Sequence, residues 1–162
     1  MEWLTSLRGA VVAIDTAPFI YFVERHAAYM PIVKPLFLAI DGGEFTAVTS
    51  MLSILEVLVK PIRGNNLELV DQYRDILLNA RHIRALPMSH QVAEEAARLR
   101  AQFNLKTPDA IQVATAVHAN ASHFITNDAS IPEVPAIKTI LLIDLLPPAS
   151  TSWGRRRGVL PQ

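Results

Sequence analysis

Between residues 11 and 143, short apolar runs alternate with longer stretches of helical periodicity, and this alternation constrains the fold more than any other feature. Residues 11–15, VVAID, are a continuous apolar run closing on a carboxylate, the pattern of a strand buried on both faces. Thr16 and Pro18 open a helix through Phe19, Ile20 and Phe22, since a proline near the first turn gives up an N–H that has no helical partner there. A second helix fits residues 31–40 and stops at Asp41-Gly42-Gly43. Residues 45–48 form the next strand, and Thr49 and Ser50 are caps for a helix over 51–59 that Pro61 and Gly64 end. The spacing of Leu69, Val70, Tyr73, Ile76 and Leu77 predicts a helix over 67–79, followed by a third strand at 82–86. Ser89 caps a helix over 91–103, and Thr107-Pro108 opens an alanine-rich helix reaching 119. Strands at 123–126 and 139–143 complete the pattern.

Strands that alternate with helices pair in parallel through right-handed crossovers, with helices covering both faces. The expectation is an α/β fold, a three-layer α/β/α sandwich around a mostly parallel sheet of about five strands. One domain spans residues 1–146. The remainder, 147–162, is turn-rich and aperiodic and reads as a flexible C-terminal tail. The apolar run at 9–23 is shorter than the roughly 20 residues a spanning helix needs and carries Asp15 and Pro18, so the chain reads as soluble, cytoplasmic and free of the membrane.

The chain has no cysteine, which removes disulfides, thiolate metal sites and cysteine nucleophiles together. Its five histidines, His26, His82, His90, His118 and His123, show no HxxxH or HExxH spacing, and GxSxG and GxxxxGK[ST] motifs are missing. Chemistry here must run on oxygen ligands. Four carboxylates stand in unusual places. Asp15 closes the first strand, where it either caps the next helix or faces a ligand. Glu56 sits in SMLSILEVLVK, where Ser53, Glu56 and Lys60 share one stripe and apolar residues cover the rest. That stripe faces a cleft, or else Glu56 and Lys60 form a surface pair worth about 0.3–0.5 kcal/mol. Asp109 lies in the first turn of its helix, which the helix dipole favours in any case. Asp128 follows the strand HFIT, where it is a turn residue or a second acid at a strand end. If the sheet reverses between the first and fourth strands, Asp15 and Asp128 face each other across the switch point. Four carboxylates so close repel unless divalent cations neutralise them, and an all-oxygen set without cysteine favours Mg²⁺ or Mn²⁺ over zinc.

With these residues in order, the chain resembles the PIN-domain nucleases, most closely the toxin ribonucleases of type II toxin–antitoxin systems, the VapC kind. The resemblance rests on Asp15 in VVAIDTAPFIYF, Glu56 in TSMLSILEVL, Asp109 in KTPDAIQVATA and Asp128 in FITNDASI, and runs over about residues 10–143. It implies that Asp15, Glu56, Asp109 and Asp128 form a catalytic, metal-binding acidic site holding one or two Mg²⁺ or Mn²⁺ ions. Thr126 would orient a ligand of that site and Asn127 would be its neighbour. The implied activity is endonucleolytic hydrolysis of RNA, leaving 5′-phosphate and 3′-hydroxyl ends. The implied partners are an RNA substrate, a second copy in a homodimer, and a small antitoxin whose arginine reaches the acids. Phe19, Ile20, Tyr21, Phe22, Tyr29 and Met30 offer an apolar interface for such contacts, or are core. One departure is Ile131, where many relatives carry an aromatic.

The 15 basic and 15 acidic residues balance, but with four carboxylates neutralised by metal the balance is 15 to 11. Lys34, Lys60 and Arg63, with Arg81 and Arg84, are therefore candidates for contact with a phosphate backbone. The triplet Arg155-Arg156-Arg157 could add to it. Two other readings compete. A haloacid-dehalogenase-like phosphatase also begins with an aspartate after a strand, but Ala17 stands at its second acidic position. A PIN-like module without catalysis would keep the fold and serve only binding.

Overall fold

Each strand carries its side chains alternately to two different cores, and this dictates the layering. The computed structural model describes residues 1–148. In β1 (Val11–Ile14), Val12 and Ile14 enter one hydrophobic cluster while Ala13, between them, enters the other. The same split separates Ala47 from Val48 in β2 (Thr46–Ser50), and Ile125 from Phe124 in β4 (His123–Thr126). A strand apolar on both faces needs a helical layer on each side.

The first layer holds α1 (Glu2–Thr5), α2 (Thr16–Val23), α3 (Met30–Asp41), α4 (Leu52–Arg63) and α5 (Leu67–Arg74). The second holds α6 (His90–Phe103) and α7 (Thr107–His118). With β3 (Ile83–Leu86) and β5 (Lys138–Leu141), the sheet has five strands in the order β3-β2-β1-β4-β5, and every pairing is parallel. The three-layer α/β/α expectation holds. The order reverses between β1 and β4, so the crevice at their carboxyl ends lies at a topological switch point. On the α7 side, Ala110, Ala114 and Ala116 are fully buried against Ala13 and Phe124. Small side chains there let the start of α7 come close to the end of β1.

Several local expectations shift. Thr49 and Ser50 are the buried end of β2, not caps; Met51 is the N-cap of α4, and the Ser50 hydroxyl accepts from the Leu52 N–H at 3.1 Å. Pro61 does not end α4: it sits buried in the last turn, where one missing N–H is tolerated, and the helix runs on to Arg63 with Gly64 as its cap. The helix over 67–79 is continuous only by way of a π-helical turn, Asp75–Asn79. β5 ends at Leu141, because Leu142, fully buried, starts a 3₁₀ turn to Leu145. The short α1 was not legible from periodicity.

Two larger corrections bear on function. α4 is not apolar-and-buried all round: Leu55 and Ile62 are 62% and 58% exposed, and Met51 and Val59 also face solvent. The aromatic residues of α2 and α3, in contrast, belong to the core or pack against it. Phe19 is fully buried, Tyr21 stacks on Tyr29 at 4.3 Å, and Phe22 stacks on Phe37 at 4.4 Å. Ile20 and Met30 pack against the same cluster. Phe19 and Tyr29 are thus core, while Ile20, Tyr21, Phe22 and Met30 are half-buried at its edge, and the exposed stripe of α4 is a more open apolar surface. Residues 149–162, with most of the expected tail and Arg155, Arg156 and Arg157, lie outside the described residues.

Candidate functional site

Asp15 is where the chain passes from β1 into α2, so its position is fixed by the central strand of the sheet. Its reading as a helix cap is borne out, and its second oxygen is held from the neighbouring strand. Its Oδ1 accepts from the Thr16 N–H at 2.8 Å, as a cap does, and its Oδ2 accepts from the Thr126 hydroxyl at 2.7 Å. Thr126 ends the neighbouring β4, and its hydroxyl oxygen also accepts from the Asp128 N–H at 3.1 Å. One buried threonine thus ties the two strand-end acids across the switch point. Burial, above all, raises the Asp15 pKa, and repulsion from Asp128 adds to this; the bonds from Thr126 and Thr16 oppose it.

Glu56 comes from the first layer, halfway along α4. The stripe foreseen for this helix runs from the interior outwards: Ser53 is fully buried, Glu56 is at the rim and Lys60 is in solvent. Thr16 donates its hydroxyl to Glu56 Oε1 at 3.2 Å. The alternative surface pair is not formed, for among the described residues no salt bridge joins Glu56 to Lys60, or involves any of the four acids. Partial desolvation first, then repulsion from Asp15 and Asp109, raises the Glu56 pKa against the Thr16 bond.

Asp109 stands in the first turn of α7, brought in from the opposite layer. Desolvation, then Asp128 and Asp15, raise its pKa, and Lys106 lowers it. Asp128 differs from the other three. Its Oδ1 accepts from both the N–H and the hydroxyl of Ser130, at 2.8 and 2.7 Å. Those bonds depress its pKa below the ordinary carboxylate value, with help from Lys106. The turn reading of Asp128 is therefore correct, and both of these bonds are made by Oδ1.

Mutual repulsion couples Asp15, Asp109 and Glu56, and likewise Asp15, Asp109 and Asp128, so the first two form the middle of the group. As the side chains stand, among the described residues no three are gathered closely enough to hold a single ion.

Beneath the acids lies a feature the sequence did not announce: a buried polar floor of Thr16, Thr49, Ser53 and Gln112. Gln112 donates to Ser53 Oγ at 2.9 Å and to Thr16 Oγ1 at 3.2 Å, and accepts from the Ser50 N–H at 3.3 Å. A signal existed, since Gln112 is a polar residue in an otherwise apolar stretch one turn after Asp109. Lys106 was also missed, although it stands three residues before Asp109.

Asn127 is no neighbour of the acids in the chemical sense. Its side chain turns away, donating to the Tyr21 and Tyr29 hydroxyls at 3.0 and 2.8 Å and accepting from the Ile143 N–H. Ile131, where an aromatic was expected, is buried in the second core. Lys60 and Arg63 are exposed in the last turn of α4. Lys34 is elsewhere, with Arg25 on the wall of a cleft of about 580 Å³ between α2, α3 and α5 that none of the four acids lines. Among the described residues, no helix is long and apolar enough to cross a membrane.

Known proteins place this arrangement. The chain is similar to VapBC2 from Rickettsia felis, bound to a DNA fragment from its promoter. The identity is 14% and the TM-score 0.61, over 81% of this chain and 98% of that one. A toxin–antitoxin complex from Klebsiella pneumoniae matches at 20% identity and a TM-score of 0.58, over 78% and 94%. VapBC-5 from Mycobacterium tuberculosis, a member of the VapBC family of toxin–antitoxin systems, matches at 18% and 0.53, over 82% and 98%. At these identities the likeness is one of fold. No curated protein matches the chain in sequence. A family model described as PIN domain matches residues 12–137, which takes in all four acids and the whole switch-point crevice. The chain belongs to the PIN-domain family.

Proposed function

We propose that this chain is a metal-dependent endoribonuclease, the toxin of a toxin–antitoxin pair. The observation that carries the reading is that Asp15, Glu56, Asp109 and Asp128, carried by four separate elements, are linked by one another's charge, with no ion pair to any of them among the described residues. Desolvation first, and mutual repulsion after it, raise three of the pKa values and disfavour the charged carboxylates, and a divalent cation would offset both. The donor set is all carboxylate oxygen, which fits Mg²⁺ or Mn²⁺. Asp15 and Asp109, in the middle of the group, with Glu56 and Asp128, would hold one or two such ions.

When bound, the cation supplies charge neutralisation at phosphorus and activation of water for attack. The chain's own groups do the rest. Thr126 holds Asp15 and the start of the Asp128 turn in one arrangement, so the carboxylates need little reorganisation. Lys106, beside Asp109 and Asp128, is the cation best placed to receive a backbone phosphate, and Lys60 and Arg63 extend that path along α4. Phosphate contacts of this kind carry no sequence information, so base choice must come from elsewhere in the crevice.

Two structural neighbours are toxin–antitoxin complexes by name, which supports a protein partner. The stripe of Met51, Leu55, Val59 and Ile62 beside Glu56 is the surface we assign to such contacts, with a second copy or with a small antitoxin whose arginine enters the acids. A strictly monomeric species by light scattering at micromolar concentration would refute the homodimer.

The activity is tested by incubating total RNA with the metal-loaded protein and analysing the ends. The reading expects 5′-phosphate and 3′-hydroxyl products, lost in Asp15→Asn. Ends carrying 2′,3′-cyclic phosphate, or cleavage unchanged by that substitution, would overturn it. The binding module without catalysis would instead keep its biological effect in Asp15→Asn.

A further inference from the structure

The floor under the acids has a direction. Each hydroxyl has one hydrogen to give and two lone pairs to receive, and a backbone N–H can only donate. The Ser50 N–H therefore fixes Gln112 Oε1 as the atom facing it, and both hydrogens of Nε2 point at Thr16 and Ser53. Thr16 gives its hydrogen to Glu56 Oε1. The 2.9 Å contact between Thr16 and Ser53 must then be donated by Ser53, and the 2.9 Å contact between Ser53 and Thr49 by Thr49. This assignment fills both lone pairs of Thr16 and Ser53 and uses every hydroxyl hydrogen. The reverse assignment, with Glu56 donating, leaves the Thr49 hydrogen with no acceptor in a residue only 1% exposed. A buried hydroxyl hydrogen without an acceptor is costly, so the forward chain is the one the fold supports.

The same bonds also set a separation. Gln112 lies one turn after Asp109 on α7, and Ser53 one turn before Glu56 on α4. The 2.9 Å bond between them clamps the two helices one turn below their acids.

We propose that Gln112 is a positioning residue for Glu56: anchored on β2 through Ser50, it organises the Thr49–Ser53–Thr16 hydroxyl chain so that its last hydrogen meets Glu56 Oε1, and it fixes the spacing of Glu56 from Asp109. The proposal rests on the metal-site reading above, and adds that the acid from α4 is aimed by a residue that touches no ligand. Outer partners of this kind typically change metal affinity by about 10–100-fold.

The test is a double-mutant cycle on the full chain, with Mn²⁺ affinity read by calorimetry. Gln112→Met should weaken Mn²⁺ about 10-fold in the native background and by less than about 2-fold in Glu56→Gln. An equal loss in both backgrounds, or none in the native one, would overturn the positioning role, since a residue that only supports the fold would act regardless of Glu56. Ser53→Ala, which keeps the volume nearly constant, should reproduce the pattern should Gln112→Met fail to fold. The carboxyl ¹³C resonance of Glu56 in the metal-free protein gives a second readout. It should move on Gln112→Met while that of Asp128 stays, and an unmoved Glu56 resonance would contradict the proposal. Absence of saturable Mn²⁺ binding with a Glu56 resonance that still moves would sink the metal reading and leave the positioning intact.

Discussion

The two ends of the acidic crevice are built in opposite ways. At the Glu56 end, the carboxylate stands on a buried floor whose bonds join residues 37 and 96 positions apart in the chain, from α2, α4 and α7. At the Asp128 end, the carboxylate is held by Ser130, two residues away, in an exposed turn. The first arrangement exists only when the whole sheet and both helical layers are in place. The second is a local turn that short peptides also adopt. One end of the site is thus as stable as the fold, and the other is free to adjust to what it binds. Thr126 is the joint between them, bonded to Asp15 on one side and to the Asp128 N–H on the other.

Breaking the joint should have the largest effect. Thr126→Val keeps the shape but leaves the buried Asp15 without its hydroxyl donor and the Asp128 N–H without its acceptor. We expect a loss of about 1–3 kcal/mol in urea unfolding and a 10–100-fold loss of Mn²⁺ affinity. Ser53→Ala comes next, at about 1–2 kcal/mol, because Gln112 and Thr49 each lose an acceptor in a residue that is fully buried. If chemical denaturation shows Ser53→Ala as stable as the native chain, the floor is not the rigid element described here, and a Thr126→Val of native stability would say the same of the joint.

The charge state of the crevice gives an effect of intermediate size. Asp15, Glu56 and Asp109 have raised pKa values, so the folded state holds these protons more tightly than the unfolded chain. Their contribution therefore falls as the pH rises from the ordinary carboxylate range through the raised values. Asp128 has the opposite sign: its stabilisation is present above the usual aspartate value and is lost as the pH falls through its depressed one. The share of stability set by these three carboxylates should thus decline from mild acid toward neutrality, while His123, whose pKa burial lowers, works with the opposite sign. Asp109→Asn should flatten the decline and raise neutral stability by about 0.5–2 kcal/mol, as substitutions at strained functional sites do. A scanning-calorimetry difference between Asp109→Asn and the native chain that does not grow toward neutral pH would contradict the desolvation and repulsion of the carboxylates in the crevice. Smallest of all is Ser130→Ala, which costs less than about 1 kcal/mol on an exposed turn and lets the Asp128 pKa rise, visible by NMR titration.

The same contrast explains what could be read from the sequence. The strands and most helices announced themselves because their apolar periods are local, and Ser89 capped its helix as its position suggested. Asp15, Asp109 and Asp128 were legible because strand ends and helix starts are marked by composition, and Glu56 because it stands on a polar stripe of an otherwise apolar helix. The floor was not, since Thr49, Ser53 and Gln112 acquire their meaning from partners far along the chain. Thr49 and Ser50 suggested a helix cap, and the sheet took them as strand residues instead. Asn127 suggested a site residue, yet its amide serves Tyr21 and Tyr29, a pairing no local pattern could show. For α4, a sequence apolar outside the Ser53, Glu56 and Lys60 stripe implied burial of the rest of the helix, while the fold leaves Leu55 and Ile62 in the open.

The central claim is that the four carboxylates act together on one divalent cation site, and calorimetric titration of Mn²⁺ into the native chain and into Asp109→Asn, with Mg²⁺ as competitor, tests it most directly. The account predicts saturable binding by the native chain, displaced by Mg²⁺ and lost in a folded Asp109→Asn. Native-like Mn²⁺ affinity in that variant, or no saturable binding by the folded native protein, would contradict it.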